Sequence, residues 1–228
     1  PNPTADDLTI TGANFSDVTF AWSATPRDAG TYTLTANIKE TPNTAAASTS
    51  PLTVTINKAT LTATGATVAS KTYDTTKTAT VSGVTFTGLV NGETPALGQD
   101  YAAAGSYDDP NAGDNKSATI LVELKSSAKA NNYNLTNSSV NATGTITKAS
   151  QTAPQISGLP SGTITYGDTF ALSAGSGVTW SASGAAAVDS SGKVTVTGTG
   201  KVTITATKPG DNNHYAAEDQ ITFTAVPK

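Results

Sequence analysis

A six-residue phrase occurs twice in this 228-residue chain. Residues 55–60 read Thr-Ile-Asn-Lys-Ala-Thr, and residues 145–150, which lie 90 positions later, read Thr-Ile-Thr-Lys-Ala-Ser. Each copy ends an alternating apolar stretch and leads into a polar, Thr-rich one. Self-similarity at a fixed offset indicates repeated structural units, so we interpret the copies as seams between consecutive β domains. The seams predict a first segment at 1–58 that is a partial domain, a middle segment at 59–148 and a last segment at 149–228.

Apolar and polar residues alternate along the chain with a period of two. Residues 31–38 read Thr-Tyr-Thr-Leu-Thr-Ala-Asn-Ile, which places all four apolar side chains on one face of an extended strand. A helix would instead repeat its apolar residues every three or four positions. In the last segment the pattern recurs in six stretches, namely Ile164/Tyr166, Phe170/Leu172, Val178/Trp180, Val194/Val196, Val202/Ile204/Ala206 and Ile221/Phe223/Ala225. Short, evenly spaced strands separated by polar turns predict an all-β fold of sandwiches.

Further strands are predicted wherever the alternation recurs, at Leu8/Ile10, Val18/Phe20/Trp22, Leu52/Val54/Ile56, Leu61/Ala63, Val84/Phe86, Ala118/Ile120/Val122/Leu124 and Val140/Ala142/Ile146. Residues 40–51 and 91–98 carry Pro, Gly or Asn between these stretches and predict loops. The sequence at 189–192, Asp-Ser-Ser-Gly, predicts a tight turn. Residues 123–130 admit a helical turn as an alternative, although no sustained apolar stripe supports it.

Composition excludes several classes of function. Charged residues make up 13% of the chain, against a usual share of about 25%. The net charge of −4 argues against a surface for nucleic acid or anionic membrane, which needs clustered Lys and Arg. The chain has 0 Cys, which removes disulfides and thiolate metal sites, and it contains no apolar run long enough for membrane insertion. With 0 Met and no signal-like start, we expect any signal peptide or wall anchor to lie outside these residues.

Residues 71–81, Lys-Thr-Tyr-Asp-Thr-Thr-Lys-Thr-Ala-Thr-Val, resemble the YDG repeat of bacterial surface proteins. Thr75 stands where that family has glycine, so we expect the turn to differ locally if the glycine normally adopts a positive φ. Later pieces that fit the same family are Asn111-Ala112-Gly113, Ala118-Thr119-Ile120, Asn131-Asn132-Tyr133-Asn134-Leu135 and Gly144-Thr145-Ile146-Thr147-Lys148-Ala149. The resemblance covers essentially all of 59–149.

The flanking segments resemble related modules. Residues 28–36, which start Asp-Ala-Gly-Thr-Tyr, look like the closing half of an MBG-type repeat, and residues 164–170 look like the opening of one. Residues 187–207 are similar to group 2 bacterial immunoglobulin-like domains of the kind found in intimin- and invasin-type adhesins. The resemblance implies tandem immunoglobulin-like β-sandwiches arranged end to end, in an extracellular protein at the bacterial cell surface. Its structural motif residues are Tyr73, Asp74, Gly113, Gly167, Trp180 and Gly192.

The sequence predicts no catalytic site. The single histidine, His214, lies in a polar turn, and no Gly-x-Ser-x-Gly elbow presents a nucleophilic serine to it. Trp22 and Trp180 alternate in register with apolar neighbours, which favours a place in a core over a carbohydrate platform. We likewise expect the ring of Tyr73 to pack while its hydroxyl meets a loop carbonyl. The sequence therefore predicts that the protein is not an enzyme.

Two chemical sites stay open as alternatives. The oxygen ligands that calcium prefers are supplied by Asp108, Asp109, Asn111 and Asp114. Loops of this composition are also good turns, so the sequence predicts only a weak calcium site here. No other cofactor is predicted. Lys58 and Lys148 at the seams are candidates for intramolecular isopeptide links to asparagine that would replace the absent disulfides, although no spacing singles out a pair.

The predicted function is a non-catalytic stalk or spacer whose partners are other repeats of the same chain. One alternative is an adhesive module that binds host glycan or matrix protein through loops or strand edges. A second is an accessory module of an extracellular polysaccharide-active enzyme.

Overall fold

The computed structural model describes residues 18–42 and 45–228, and the strand predicted at Leu8/Ile10 lies outside them. Nearly all the regular secondary structure of the described residues is β-strand, which confirms the all-β prediction. A one-turn 3-10 helix at Ala130–Asn132 interrupts them. Within the described ranges, no helix has the length and apolar character that crossing a membrane requires.

The chain divides into two compact units. The first contains the described residues up to Val68 together with Thr80–Gly105 and Thr119–Ala142. The second contains Ala69–Ala79, Ser106–Ala118 and Thr143–Lys228. Each predicted seam therefore lies inside a unit, residues 55–60 in the first and residues 145–150 in the second. The three predicted segments stay a prediction, because the units cut across the middle one.

The first segment forms one four-stranded antiparallel sheet. Its strands are β1 (Val18–Trp22), β2 (Gly30–Ile38), β3 (Ala47–Ser48) and β4 (Leu52–Ile56). The long strand β2 pairs with each of the other three. The strands predicted from alternation at 18–22, 31–38 and 52–56 are thereby confirmed, and the loop predicted at 40–51 contains the short strand β3.

The middle segment contributes two sheets. Their strands are β5 (Ala59–Val68), β6 (Lys71–Thr72), β7 (Thr78–Ala79), β8 (Val81–Thr87), β9 (Tyr101–Tyr107), β10 (Gly113–Leu124), β11 (Tyr133–Asn137) and β12 (Ser139–Thr147). One sheet has the order β11-β5-β8 and the other the order β6-β12-β10-β9-β7. The β11–β5 and β12–β6 pairs are parallel.

Strand β10 shows how the alternation sets the buried face. Ala118, Ile120 and Val122 are buried on one side, whereas Leu121 between them is exposed on the other. The strand continues to Leu124, and the helical turn offered as an alternative for 123–130 forms only at the end of that stretch and beyond it.

The last segment is a two-layer sandwich. Its strands are β13 (Ile164–Thr165), β14 (Thr169–Ala171), β15 (Thr179–Gly184), β16 (Ala186–Val188), β17 (Lys193–Val196), β18 (Gly200–Lys208) and β19 (Ala217–Val226). The sheets have the orders β13-β19-β18-β15 and β14-β17-β16. Val202 and Ile204 of the larger sheet, Val194 of the smaller one and Leu172 beside it form one buried core.

A turn follows β13 at Tyr166 and Gly167. Gly167 follows β13 with φ +90°, and its N–H donates to the carbonyl of Val196 at 3.0 Å. Strand β13 ends at Thr165, so Tyr166 is 54% exposed, and its predicted place on the buried face with Ile164 is wrong.

The turn predicted at 189–192 is confirmed. The carboxylate of Asp189 accepts hydrogen bonds from the N–H groups of Ser191 (2.8 Å) and Lys193 (3.0 Å). Gly192 closes the turn at φ +84° with no room for a side chain, because a Cβ there would lie 2.5 Å from the carbonyl oxygen of Leu172 and 3.1 Å from the ring of Trp180. Trp180, half-buried, packs against the core from this side.

We expect Gly192→Ala to destabilise the protein by about 2 to 5 kcal/mol, because it adds both a left-handed backbone penalty and a steric clash. Gly175→Ala is the matched control, since Gly175 has a similar φ of +82° and nothing within 4 Å of its ideal Cβ position. The control carries the backbone penalty alone, about 1 to 2 kcal/mol. Denaturant unfolding of both variants measures the difference, and equal losses would contradict the steric argument.

Candidate functional site

The YDG-like motif folds into a turn held by one carboxylate. Oδ1 of Asp74 accepts hydrogen bonds from the N–H of Thr76 (2.9 Å) and its hydroxyl (2.8 Å), and it forms an ion pair with Nζ of Lys71 at 2.6 Å. The hydrogen bond from Lys71, followed by those from Thr76, lowers the pKa of Asp74 from 3.8 to about 2. The side chain therefore stays ionised and keeps the turn closed in neutral and mildly acidic solution.

Thr75 occupies this turn in the left-handed conformation, with φ +69°. Whether this turn differs from the one that the family's glycine forms stays a prediction. In this chain the backbone has the positive φ that glycine favours, and a β-branched residue bears the strain. The contacts of Asp74 with both neighbours of the turn hold it in place.

Thr75→Gly should stabilise the protein by about 1 kcal/mol, because relief of the left-handed strain exceeds the added flexibility of the unfolded chain. Thr75→Ala retains a Cβ and is the control, for which we expect a smaller gain. Thermal and denaturant unfolding measure both variants. A loss of stability in the glycine variant would show that Thr75 is not strained.

The tyrosine of the motif packs against the single histidine. The Tyr73 and His214 rings meet edge to face, with centroids 5.3 Å apart and planes at 84°. Nδ1 of His214 lies 3.0 Å from both carboxylate oxygens of Asp211, and this contact lowers the pKa of Asp211. His214 is thus a packing residue of the second compact unit, and the Tyr73 N–H donates to the carbonyl of Thr147 at 2.8 Å.

The second seam is held by the side-chain amide of Asn213, and we name this set of contacts the second joint. Oδ1 of Asn213 accepts a hydrogen bond from the Ala112 N–H at 2.8 Å, and Nδ2 donates to Oδ1 of Asn111 at 3.0 Å. The seam residue Ala149 donates its N–H to the Asn213 carbonyl at 2.8 Å and accepts from the Tyr215 N–H at 2.9 Å.

The first seam is held in the same way, and we name it the first joint. Oδ1 of Asn132 accepts from the Ala29 N–H at 2.7 Å, and Nδ2 donates to Oδ1 of Asp28 at 2.9 Å. The seam residue Ala59 pairs in parallel with Tyr133, as Ala149 pairs in parallel with His214 at the second joint. Each joint thus combines an Asn-Asn loop, a tripeptide of Asp or Asn followed by Ala-Gly, and the alanine after the seam lysine.

Both loops are anchored in their own surroundings. The buried hydroxyl of Tyr133 donates to Oε2 of Glu93 at 2.7 Å and accepts from the Val90 N–H at 3.0 Å. At the second joint Asp211 accepts from the N–H groups of Asn213 and His214, each at 2.7 Å. We call the two hydrogen bonds that the side-chain amide of Asn132 or Asn213 makes to its tripeptide the asparagine clasp. Both amides are carried on preorganised backbone, which lowers the entropy cost of closing each joint.

A cleft flanks each joint. The cleft beside the first has a volume of about 490 Å³ and is lined in part by Arg27, Asn57 and Glu93. The cleft beside the second has a volume of about 270 Å³ and is lined in part by Asn212 and Tyr215. Tyr215 is 54% exposed, so an aromatic face borders the second cleft.

The residues proposed as calcium ligands contact protein groups. Asp109 forms an ion pair with Lys116 and accepts from the Asn111 N–H at 2.9 Å. Asp114 accepts from the Thr145 hydroxyl at 3.3 Å, and Asn111 is engaged by Asn213. In the part of the chain that the structure describes, no group of three or more His, Cys, Asp or Glu side chains is placed to hold a metal ion. Calcium binding by Asp108, Asp109, Asn111 and Asp114 stays a prediction.

The seam lysine Lys148 donates to the backbone carbonyl of Asp211 at 2.6 Å, so its Nζ closes the second joint from another side. This contact joins the lysine to a main-chain oxygen instead of an asparagine amide. The contact of Lys148 therefore does not support an isopeptide link to asparagine, and the hypothesis for Lys58 and Lys148 stays a prediction.

Asn132 and Asn213 are the residues that sequence reasoning missed. Two signals in the sequence could have found them. An Asn-Asn pair at 131–132 recurs 81 residues later at 212–213, and an Asx-Ala-Gly tripeptide at 28–30 recurs at 111–113. Each signal was visible alone, but their contact joins residues more than 100 positions apart.

Comparison with known proteins finds a family match for part of the chain. Residues 56–142 match the YDG domain family, which confirms the resemblance of the middle segment. No match was found among curated proteins. The likeness of the last segment to group 2 bacterial immunoglobulin-like domains stays a prediction.

Among solved structures, the chain is similar to a SusE-like surface located polysaccharide binding protein from the heparin utilisation locus of Bacteroides thetaiotaomicron. The identity is 9%, the match covers 94% of this chain and 55% of that one, and the TM-score is 0.25. The chain thus spans about half the length of that protein, and a likeness this distant carries no functional argument. What the comparisons do show is that residues 56–142 match the YDG domain family.

Proposed function

We propose that this chain is a non-catalytic spacer in an adhesin-like protein of the bacterial cell surface or of bacterial secretions. The observation that carries the proposal is the recurrence of one set of contacts at both joints. A spacer needs its modules held in fixed order and its joints stiff, whereas an enzyme or a simple linker has no need of matching joints.

The seams leave little slack for bending. Strand β4 ends at Ile56 and β5 begins at Ala59, while β12 ends at Thr147 and Ala149 is already paired with His214. A linker of one or two residues restrains its neighbours by length alone, and the asparagine clasp adds two hydrogen bonds at each joint. Each bond contributes about 1 kcal/mol net. The clasp of the second joint joins neutral amides, so salt should screen it little.

The clasp is tested by Asn213→Ala, which removes both the acceptor for Ala112 and the donor to Asn111. We expect the Ala112 amide to exchange roughly fivefold faster with solvent and backbone order around residues 148–150 to fall, as read by NMR. Asn212→Ala is the matched control, because Asn212 is exposed in the same loop. Asn132→Ala, with Asn131→Ala as its control, repeats the test at the first joint. Unchanged exchange and order in both clasp variants would overturn the proposal.

A glycan-binding module is a second candidate, favoured by one observation. The half-exposed ring of Tyr215 borders a cleft that also presents Asn212 and Lys148, so an apolar face lies beside polar groups that can orient a sugar. The proposal concerns bacterial or host polysaccharide as a class, and its cleft lies beside the second joint.

Titration of arrayed glycans against the purified chain tests this candidate. We expect saturable binding that Tyr215→Ala reduces by about tenfold or more, because the stacking face is lost. Tyr166→Ala is the control, since Tyr166 has the same exposure of 54% but does not line the cleft. Binding that survives Tyr215→Ala, or that falls equally in both variants, would place the site elsewhere.

A further inference from the structure

A third tripeptide occupies the place that the clasp recognises at the two joints. The tripeptides Asp28-Ala29-Gly30 and Asn111-Ala112-Gly113 each end on the first residue of a long strand, β2 and β10 respectively. Strand β18 likewise begins with a glycine, Gly200, and Gly198 and Thr199 precede it. Thr199 therefore corresponds to Ala29 and Ala112, whose N–H groups the clasping asparagines bind.

The same end of the last segment also carries a seam-like lysine. Gly30 pairs with Ile56, two residues before Lys58. Gly200 pairs with Ala225, three residues before Lys228. The three lysines close the similar sequences Ile56-Asn57-Lys58, Ile146-Thr147-Lys148 and Val226-Pro227-Lys228. At each joint, a tripeptide at the start of a long strand contacts the next segment, and a seam lysine ends the segment that carries the tripeptide. A similar tripeptide and lysine occur together in the last segment, at Gly198-Thr199-Gly200 and Lys228.

The third tripeptide differs from the others in two respects: Gly200 has a φ of +116°, whereas neither Gly30 nor Gly113 has a positive φ, and the tripeptide is uncovered. Ala29 and Ala112 are half-buried, whereas Thr199 is exposed. Within residues 18–42 and 45–228, no group accepts a hydrogen bond from the Thr199 N–H. An open main-chain donor beside a seam-like lysine is the surface that the Asn-Asn loops cover elsewhere.

We infer that Gly198-Thr199-Gly200 is a docking surface for a further module of this kind, which would insert an Asn-Asn loop carried after its own long strand. The inference rests on the proposed spacer function and extends it to a third joint. Gly198 stands where Asp28 and Asn111 supply a side-chain oxygen, so the third joint would have the bond to the Thr199 N–H without the second one. It would therefore be the weakest of the three.

The test adds a second copy of residues 149–228 directly after Lys228, so that a new Ala149 follows the lysine as it does at the second seam. The original 228 residues are isotopically labelled by segmental ligation, and amide exchange is compared with that of the unextended chain. We expect the Thr199 amide to exchange roughly fivefold more slowly in the extended protein. Asn213→Ala in the added copy should abolish this protection, whereas Asn212→Ala in the added copy should retain it.

Amides of Val202 and Ile204 in a protein labelled only in the added copy show whether that copy has folded. With a folded copy, a Thr199 exchange rate equal to that of the unextended chain would overturn the inference. Ala29 and Ala112 keep the two conclusions separate. If they remain protected while Thr199 does not, the spacer function stands and the third docking surface fails. If they too are unprotected, the proposed function itself fails.

Discussion

One asparagine side chain at each joint takes the place of a main-chain strand partner. An amide carries both a donor and an acceptor, so it can satisfy a backbone N–H and a neighbouring side-chain oxygen at once. A buried N–H left without an acceptor costs about 1 to 3 kcal/mol, and the half-buried Ala29 and Ala112 would bear part of that cost if their asparagines were absent. At each joint the asparagine amide therefore satisfies the N–H of the tripeptide, and the tripeptide supplies the partners that the amide needs. This reciprocal hydrogen bonding makes each joint specific.

The composition of the chain explains why hydrogen bonds of asparagine side chains hold the joints. With 0 Cys the chain has no disulfides, and charged residues are few, so ion pairs such as Lys71–Asp74 and Lys116–Asp109 contribute only locally. What remains is strand pairing, short side chains that bond to nearby backbone, and small cores such as the one around Val202 and Ile204. In the turn at 189–192, for example, the single carboxylate of Asp189 accepts hydrogen bonds from two backbone N–H groups.

Much of the fold follows from alternation, and the exceptions have physical reasons. Strands β1, β2 and β4 were predictable because large apolar residues recur at every second position. Strand β9 was not, because its Ala-Ala-Ala-Gly-Ser interior offers no contrast between faces, and only Tyr101 and Tyr107 at its ends are deeply buried. Tyr166 was misplaced because period two assigns a face only while the strand persists. The joints escaped prediction because the repeated Asn-Asn and Asx-Ala-Gly sequences do not themselves reveal that they meet across more than 100 residues. The positive φ of Thr75 was not predictable because neighbouring side chains hold it in place.

The parallel strand pairs β5–β11, β6–β12 and β13–β19 have a mechanical consequence. Each joins an early strand of its segment to a late one, and the two strands run in the same direction. When a chain is pulled from its two ends, such strands are drawn past each other in opposite senses, so the hydrogen bonds between them are loaded in shear and must break together. A hairpin pulled open from its free ends would lose its bonds singly, at lower force. The topology thus resists tension along the chain without covalent cross-links.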